Sequence, residues 1–208
     1  MSATHARKKP FLRLATAAVA MVAALGMAAC SGGAATSSSS SGAQVGDRTP
    51  EQIQESGEIV IGIFSDKAPF GYIDADGKPA GYDVVYGDRI AADLGVTAKY
   101  VPVDAAARTE VLASNKVDIT LANFTVTPER AEKVDFANPY FKVSLGVVSP
   151  TSAEITDVSQ LAGKTLIVTK GTTAEAYFEA NHPEVKLQKY DQYSDAYQAL
   201  EDGRGDAF

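Results

Sequence analysis

The chain has 208 residues, with 19 Lys and Arg against 26 Asp and Glu and a net charge of −7. An acidic balance of this kind argues against a nucleic-acid-binding protein, because such proteins need clustered positive charge to meet phosphates. The single cysteine, Cys30, excludes an internal disulfide.

Residues 1–29 have the pattern of an export signal, with a basic start at Arg7–Arg13 followed by an apolar, alanine-rich stretch. The stretch ends in "MAAC", which resembles a bacterial lipobox with Met27 in the place where leucine is preferred. We therefore expect export, removal of residues 1–29 and anchoring to the outer face of the cell membrane by lipidated Cys30. An ordinary signal peptide followed by a chance cysteine is the alternative.

Residues 30–49 are rich in Ser, Gly and Ala, a composition typical of a flexible tether between an anchor and a folded domain. Without residues 1–29 the chain keeps 15 basic and 26 acidic residues, a net charge of −11. No later apolar run reaches the length of a membrane span.

From residue 50 the sequence alternates between strand-like and helix-like segments. In the first region, residues 50–147, strands are predicted at 58–64, 96–103 and 117–122, and helices at 84–94 and 108–116. A Gly/Asp/Pro-rich stretch at 71–83 predicts a hairpin or turn, and an extended segment runs from Tyr140 to Pro150. This alternation favours a mostly parallel sheet covered by helices.

The same pattern restarts in the second region, residues 148–208. Strands are predicted at 165–169 and 185–190, helices over "TTAEAYFEAN" and "SDAYQALED", and a further strand begins at "DAF". We therefore expect an α/β protein with two lobes, the second of which is truncated at its C-terminus.

Ligands of open α/β sheets bind beyond the carboxyl ends of strands, and two loops lie at such positions. In the first, Thr127 is the predicted N-cap of a helix that starts at Pro128, which places Arg130 in the first turn, where the helix dipole disfavours a cation. With Asn123 and Thr125 beside it, Arg130 forms a candidate anion site. A plain surface ion pair with Glu129 or Asp135 is the alternative.

The second loop is "KGTTAEAYF". Thr172 is explained by a capping box with Glu175, whereas Thr173 has no evident local partner. Phe70 and Tyr72, in "SDKAPFGY", are candidates for an apolar wall of a ligand slot, although aromatic residues at this spacing are more often core. Arg108 is expected at the surface.

No pattern supports metal, cofactor or catalytic chemistry. The two histidines lie in the signal segment and at a helix end, and no nucleophile–base pair emerges.

The stretches "GYDVVYGDRIAADLG", "TVTPERAEKVDFANPY" and "KGTTAEAYF", together with "KYDQ" and "RGDA", resemble the family 3 extracellular solute-binding proteins of ABC importers. The resemblance covers residues 50–208 and is nearest to cysteine-binding lipoproteins, although Val85 stands where the family pattern has an acid. It implies a type II periplasmic-binding-protein fold, whose two lobes close over a polar amino acid and deliver it to ABC permease subunits.

Carried over by motif, the resemblance implies that Arg130 holds the ligand's α-carboxylate with help from Thr125. The backbone carbonyl of Asn123 would take the amine, and Thr173 would add donors from the second lobe. Phe70 and Tyr72 would lie along the ligand, and Arg108 would face its side chain.

The family's aspartate for the α-ammonium and the return hinge strand would come after residue 208. We therefore expect the 208-residue form to bind weakly and a longer parent to bind well, which calorimetry with cysteine on both forms tests. Cysteine is the favoured ligand, with glutamate, aspartate and cystine as alternatives.

Two other function classes remain open from the sequence. A dehydratase on the same scaffold needs a catalytic acid in the cleft and no lipobox. A sensor domain of a receptor would continue into a transmembrane helix. A permease and an ATPase encoded next to this gene would favour the importer.

Overall fold

The structure is a computed structural model that describes residues 44–208. The predicted signal peptide, the lipidation of Cys30 and the tether up to residue 43 lie outside the described residues. Within residues 44–208, no helix has both the length and the apolar character needed to cross a membrane.

A three-stranded parallel sheet forms the centre of the N-terminal part, defined here as residues 44–147. Strand β1 (Glu58–Ile63) lies between β5 (Thr97–Pro102) and β6 (Ile119–Thr120). Glu58 pairs with Thr97 and Ile61 with Ile119, so all three strands run in the same direction. All five residues after Glu58 in this strand are buried, as expected for a central strand covered on both faces.

Helices α1 (Pro50–Ser56), α2 (Tyr82–Leu94), α3 (Arg108–Ala113) and α4 (Pro128–Ala131) accompany this sheet, with a small antiparallel sheet made of β2 (Asp66–Lys67), β3 (Gly71–Ile73) and β4 (Pro79–Ala80). The predicted helix at 84–94 is confirmed as α2, and its residues Val84, Ile90, Ala91 and Leu94 pack against β1 and β5. Gly95 ends α2 with a φ of 74°, a left-handed conformation that glycine adopts without steric cost.

Helix α1 was not predicted, although "TPEQ" carries a capping box between Thr49 and Gln52 that the sequence could have revealed. The flexible tether was predicted to extend to residue 49, but residues 44–49 contact the folded domain. The carboxylate of Asp118 accepts a hydrogen bond from Gly46 N at 2.9 Å and from Arg48 Nε at 2.9 Å. Residues 44–49 are therefore held against the domain by a buried ion pair.

The C-terminal part, residues 148–208, has a separate parallel sheet. Strands β7 (Thr165–Thr169) and β8 (Lys186–Tyr190) pair in register, and Ala207 forms a parallel bridge with Leu166. Helices α5 (Thr173–Asn181) and α6 (Tyr193–Glu201) follow the two strands, and short 3₁₀ turns occupy Thr151–Ala153 and Val158–Leu161. The predicted strand–helix alternation of this region is confirmed, and the architecture is α/β.

The segment predicted to be extended, from Tyr140 to Pro150, contains no helix or strand in the structure. Between Glu132 and Pro150 the structure has no helix or strand. Val148 exchanges backbone hydrogen bonds of 2.7 and 2.8 Å with Phe208, whereas the other backbone bonds of this stretch are local turn bonds at Lys133, Val134 and Pro150. An extended sequence becomes a strand only when a neighbouring backbone accepts and donates along its length.

The start of α6 connects the two parts of the protein. Its N-cap residue, Gln192, makes no capping hydrogen bond with its own side chain. Instead, Asp66 of β2 accepts hydrogen bonds from Tyr193 N at 2.7 Å and Ser194 N at 3.2 Å. A carboxylate at a helix N-terminus is favourable, so the N-terminal part supplies the cap of a helix in the C-terminal part.

Candidate functional site

A cavity of about 750 Å³ lies between the N-terminal and C-terminal parts. Of the eight predicted site residues, Tyr72 does not line this cavity. The other seven do: Phe70, Arg108, Asn123, Thr125, Arg130, Thr172 and Thr173. The cavity therefore brings together the two loops that the sequence singled out, as expected from their positions beyond the carboxyl ends of strands.

Arg130 occupies the position predicted from the sequence. Thr127 is the N-cap of α4, its hydroxyl accepts from Arg130 N at 3.3 Å, and Pro128 is the first helical residue. The guanidinium donates from Nη1 to Thr125 O at 2.7 Å and from Nη2 to Gly171 O at 2.9 Å. A guanidinium has five N–H groups, so three remain for a ligand.

The alternative of a surface ion pair at Arg130 is wrong for the described residues. Within residues 44–208, no carboxylate oxygen lies within 4 Å of its guanidinium. The side chain is half-buried, and this burial lowers the pKa of Arg130 from its ordinary value. A cation that is partly desolvated and lacks an acidic partner is arranged to receive an anion.

Arg108 corrects the prediction of a surface residue, because only 3% of it is exposed. It donates from Nε to Ala105 O at 2.8 Å, from Nη1 to Ala122 O and Asn123 O at 3.1 and 3.0 Å, and from Nη2 to Gly171 O at 2.9 Å. Burial, with the neighbouring Arg130, lowers the pKa of Arg108 to about 10. Four of its five N–H groups are engaged, so Arg108 mainly positions the walls of the cavity.

The loop that Arg108 holds is strained. Ala122 and Asn123 have φ values of 35° and 45°, in the left-handed region that disfavours residues with a Cβ. Asparagine tolerates this region better than most residues, and the Arg108 guanidinium satisfies the carbonyls of both positions. The Asn123 carbonyl, predicted to take the ligand amine, thus keeps one lone pair.

The ring of Phe124 contacts both arginines. Its ring centroid is 4.7 Å from Arg108 Cζ and 4.8 Å from Arg130 Cζ. Contacts of this kind contribute about 0.5–2 kcal/mol each when they are shielded from water. The ring therefore attracts both cations and offsets part of the cost of holding them near each other.

The second loop approaches the first at Gly171. Its φ is 71°, and a Cβ there would lie 2.4 Å from Ala106 Cα in the N-terminal part. Its carbonyl accepts from both Arg108 and Arg130. Only glycine permits this close approach, since any side chain would meet the facing backbone.

The two threonines of the second loop differ in their free hydrogen-bonding groups. The Thr172 hydroxyl accepts from Glu175 N at 3.2 Å and donates to Thr169 O at 2.7 Å. The predicted capping box is half right, because the Glu175 carboxylate accepts from Gly171 N at 2.6 Å rather than from the cap residue. Thr173 lines the cavity and, among the described residues, its hydroxyl makes no hydrogen bond.

The sequence interpretation missed Lys67 and Tyr193. Lys67 Nζ donates to Asn123 Oδ1 at 2.9 Å and to Tyr193 OH at 3.0 Å, and it lies 4.2 Å from the centre of the Tyr193 ring. Burial, together with the positive charge of Arg108, lowers the pKa of Lys67 to about 8. A lysine within the aromatic stretch "SDKAPFGY" was the available signal for this residue.

Of the two aromatic residues predicted to form an apolar wall of a ligand slot, one lines the cavity and the other does not. Phe70 lines the cavity and makes an edge contact with Phe141, with centroids 5.6 Å apart. Tyr72 lies in β3 and pairs with Asp66 and Ala80 in the small antiparallel sheet. Its position within that sheet keeps it out of the cavity lining.

This arrangement of loops on an α/β frame can be compared with known proteins. The model of the bacterial extracellular solute-binding proteins, family 3, matches residues 59–201. The chain belongs to this family.

Solved structures of two relatives are similar over most of the described residues. A solute receptor for L-cysteine of Neisseria gonorrhoeae is 55% identical, with a TM-score of 0.75 over 77% of this chain and 66% of that one. The cysteine-binding protein of Campylobacter jejuni is 52% identical, with a TM-score of 0.73 over 76% of this chain and 65% of that one. The family 3 chain thus spans about two thirds of their length.

Curated relatives carry several ligand names. The L-cystine-binding protein of Escherichia coli is 30% identical over 75% of this chain and 59% of its own length. Others are named as glutamine-, arginine- and glutamate/aspartate-binding proteins. A further solved structure, 29% identical, is an ancestral amino acid-binding protein described as a precursor of cyclohexadienyl dehydratase. The family name is shared, whereas the ligand names differ.

Proposed function

We propose that this family 3 protein binds a polar amino acid, with cysteine favoured, between its two parts and delivers it to the permease of an ABC importer. The observation that carries the proposal is the guanidinium of Arg130. It lines the cavity with three N–H groups left over and has no acidic partner within 4 Å among residues 44–208. The two cysteine-binding relatives, at 55% and 52% identity, support cysteine as the ligand.

In the proposed complex, Arg130 receives the α-carboxylate of the amino acid. Thr125 lines the cavity beside it in the N-terminal part, and Thr173 adds a hydroxyl from the C-terminal part. Since donors come from both parts, the full set is assembled only when the parts are close, which couples ligand binding to closure. Phe70 supplies an apolar wall, as is usual in small-molecule sites.

The proposed cellular setting is the outer face of the membrane. Export by the signal peptide and lipidation of Cys30 would hold the protein next to its permease, and a lipid anchor with several acyl chains gives stable attachment. The flexible Ser- and Gly-rich segment after Cys30 would allow the domain to reach its partner.

Binding is favoured over enzymatic activity by the chemistry of the cavity. A dehydratase needs an acid near its substrate, and no Asp or Glu of residues 44–208 lines the cavity. The dehydratase alternative is tested directly by incubating the protein with prephenate or arogenate and assaying the aromatic product. Product formation above the background rate would overturn the assignment as a binding protein.

The binding proposal is tested with the longer parent form expected from the family resemblance, called here the full-length protein. A thermal-shift screen of the twenty amino acids and cystine identifies the ligand, and calorimetry then measures its affinity. Replacing Arg130 by Met is expected to weaken binding by about 3 kcal/mol, roughly 100-fold, because two charge-assisted hydrogen bonds to the carboxylate are lost. Arg89→Met is the matched control, since Arg89 is exposed and pairs only with Asp93 among the described residues. Equal affinity in both variants would refute the role of Arg130.

A further inference from the structure

The cavity lining has an unbalanced charge. Its lining residues include Lys67, Arg108, Arg130 and Lys142, and among residues 44–208 no Asp or Glu is present in the lining. One carboxylate on Arg130, as in the proposed function, balances one of these cations. A ligand with no further negative character would leave the remaining charge without a counterpart in a partly desolvated space.

Arg108 is not free to bind a second negative group of the ligand, because most of its N–H groups already donate to backbone carbonyls. Four of its five N–H groups bind backbone carbonyls at 2.8–3.1 Å. Lys67 differs from it in this respect. Its ammonium donates only to Asn123 Oδ1 and Tyr193 OH, so one of its three N–H groups is left.

The surroundings of Lys67 are largely aromatic, although the charges of Arg108, Asp83 and Asp66 lie near enough to shift its pKa. Its Nζ lies 4.2, 5.4 and 5.5 Å from the ring centres of Tyr193, Phe64 and Phe70. Within the described residues no carboxylate oxygen approaches it within 4 Å. The neighbouring Asp66 is occupied by the backbone of α6.

Holding the Asn123 and Tyr193 side chains together does not require a charge. A neutral amide donor would make the same two hydrogen bonds without the cost of taking an ammonium out of water. A cation is useful here if the ligand brings an anion, because the attraction is strong in a space that excludes water. The aromatic rings hold the ammonium until that anion arrives.

We infer that Lys67 is a specificity-determining residue that receives a carboxylate or thiol on the side chain of the bound amino acid. The inference rests on the proposed function and narrows its ligand class to cysteine, aspartate and glutamate. A thiol beside an ammonium is biased towards the thiolate, which makes cysteine a suitable partner. Arginine and lysine are rejected, because their side chains would place a further cation among those already present.

The experiment measures selectivity rather than affinity alone. Full-length wild-type protein and the variants Lys67→Met and Lys67→Arg are titrated by calorimetry with cysteine, glutamate, serine and arginine. In wild-type protein cysteine is expected to bind at least tenfold more tightly than serine, and arginine more weakly than serine. Lys67→Met is expected to lower the cysteine-to-serine ratio at least tenfold, and Lys67→Arg to retain most of it.

The matched control is Lys116→Met, because Lys116 is exposed and outside the cavity lining. Since each ratio is taken within one variant, partial unfolding of Lys67→Met does not change it. An unchanged cysteine-to-serine ratio in Lys67→Met, with normal binding by wild type, would overturn this inference alone. If wild-type protein binds no amino acid, the proposed function and this inference fail together.

Discussion

Replacing Gly171 by alanine tests whether the approach of the two parts is needed for ligand binding. The φ of 71° at Gly171 costs an alanine about 1 kcal/mol wherever the two parts lie, because the strain is local. The added Cβ would also lie 2.4 Å from Ala106 Cα and 2.8 Å from Ala106 N, against an ordinary carbon contact of about 3.5–4 Å. This second cost exists only when the parts are together.

The size of the effect follows from the hydrogen bonds at Gly171. Relieving the overlap requires a displacement of about 1 Å. A shift of that size breaks the bonds of 2.9 Å that Arg108 Nη2 and Arg130 Nη2 make with the Gly171 carbonyl. Each bond to a charged donor is worth about 1.5–3 kcal/mol, so the closed arrangement loses at least about 3 kcal/mol. Ligand affinity is expected to fall about 100-fold.

Gly163→Ala is the matched control. Gly163 has a φ of 75°, lies in the same C-terminal part and has no atom within 4 Å of an added Cβ. Both variants are expected to lose about 1 kcal/mol in chemical denaturation, while only Gly171→Ala loses affinity for cysteine in calorimetry. Equal affinities in the two variants would refute the argument that contact between Gly171 and Ala106 is part of the ligand-bound state.

Two further predictions concern stability and location. Asp83 is 1% exposed, and its Oδ2 has no hydrogen-bond partner among the described residues; burial raises its pKa from 3.8 to about 6. The stabilisation from its protonated form is therefore complete below pH about 4 and lost as the pH rises through about 6. In urea titrations, the free energy of unfolding of the wild type, relative to that of Asp83→Asn, should fall by about 3 kcal/mol as the pH rises from about 4 to above 6. A constant difference between the two proteins across this pH range would contradict the prediction. Replacing Cys30 by serine should move the protein from the membrane to the soluble fraction of cells, with Ser31→Ala as control; retention of the serine variant in the membrane would contradict lipidation at this residue.

Local features of the protein were predictable because neighbouring residues cause them. The N-cap at Thr127, the turn at Gly95 and the strand Thr165–Thr169 depend on hydrogen bonds and backbone preferences within a few positions. The placement of Arg130 in a first helical turn followed from the same rules. Its role as an anion receptor is a proposal that draws on the cavity around it.

The burial of Arg108 could not be predicted from its neighbours in the sequence. An isolated cation after "VDAAA" predicts a surface residue, and the folded chain buries it against four carbonyls from three separate segments. Lys67 and Tyr193 meet although they are 126 residues apart. No spacing rule connects such distant positions, because their contact depends on how α6 and the small antiparallel sheet pack together.

The segment from Tyr140 to Pro150 shows the same limit for backbone structure. Its β-branched and aromatic residues favour an extended chain, but a strand also needs a partner, which only Val148 has in residues 44–208.

The sequence by itself determined the order of most strands and helices, the N-caps at Thr127 and Thr172, and the two loops that meet at the cavity. Tertiary structure decided which cations line that cavity and which are committed to backbone carbonyls, because burial and hydrogen-bond partners are set by contacts between distant segments.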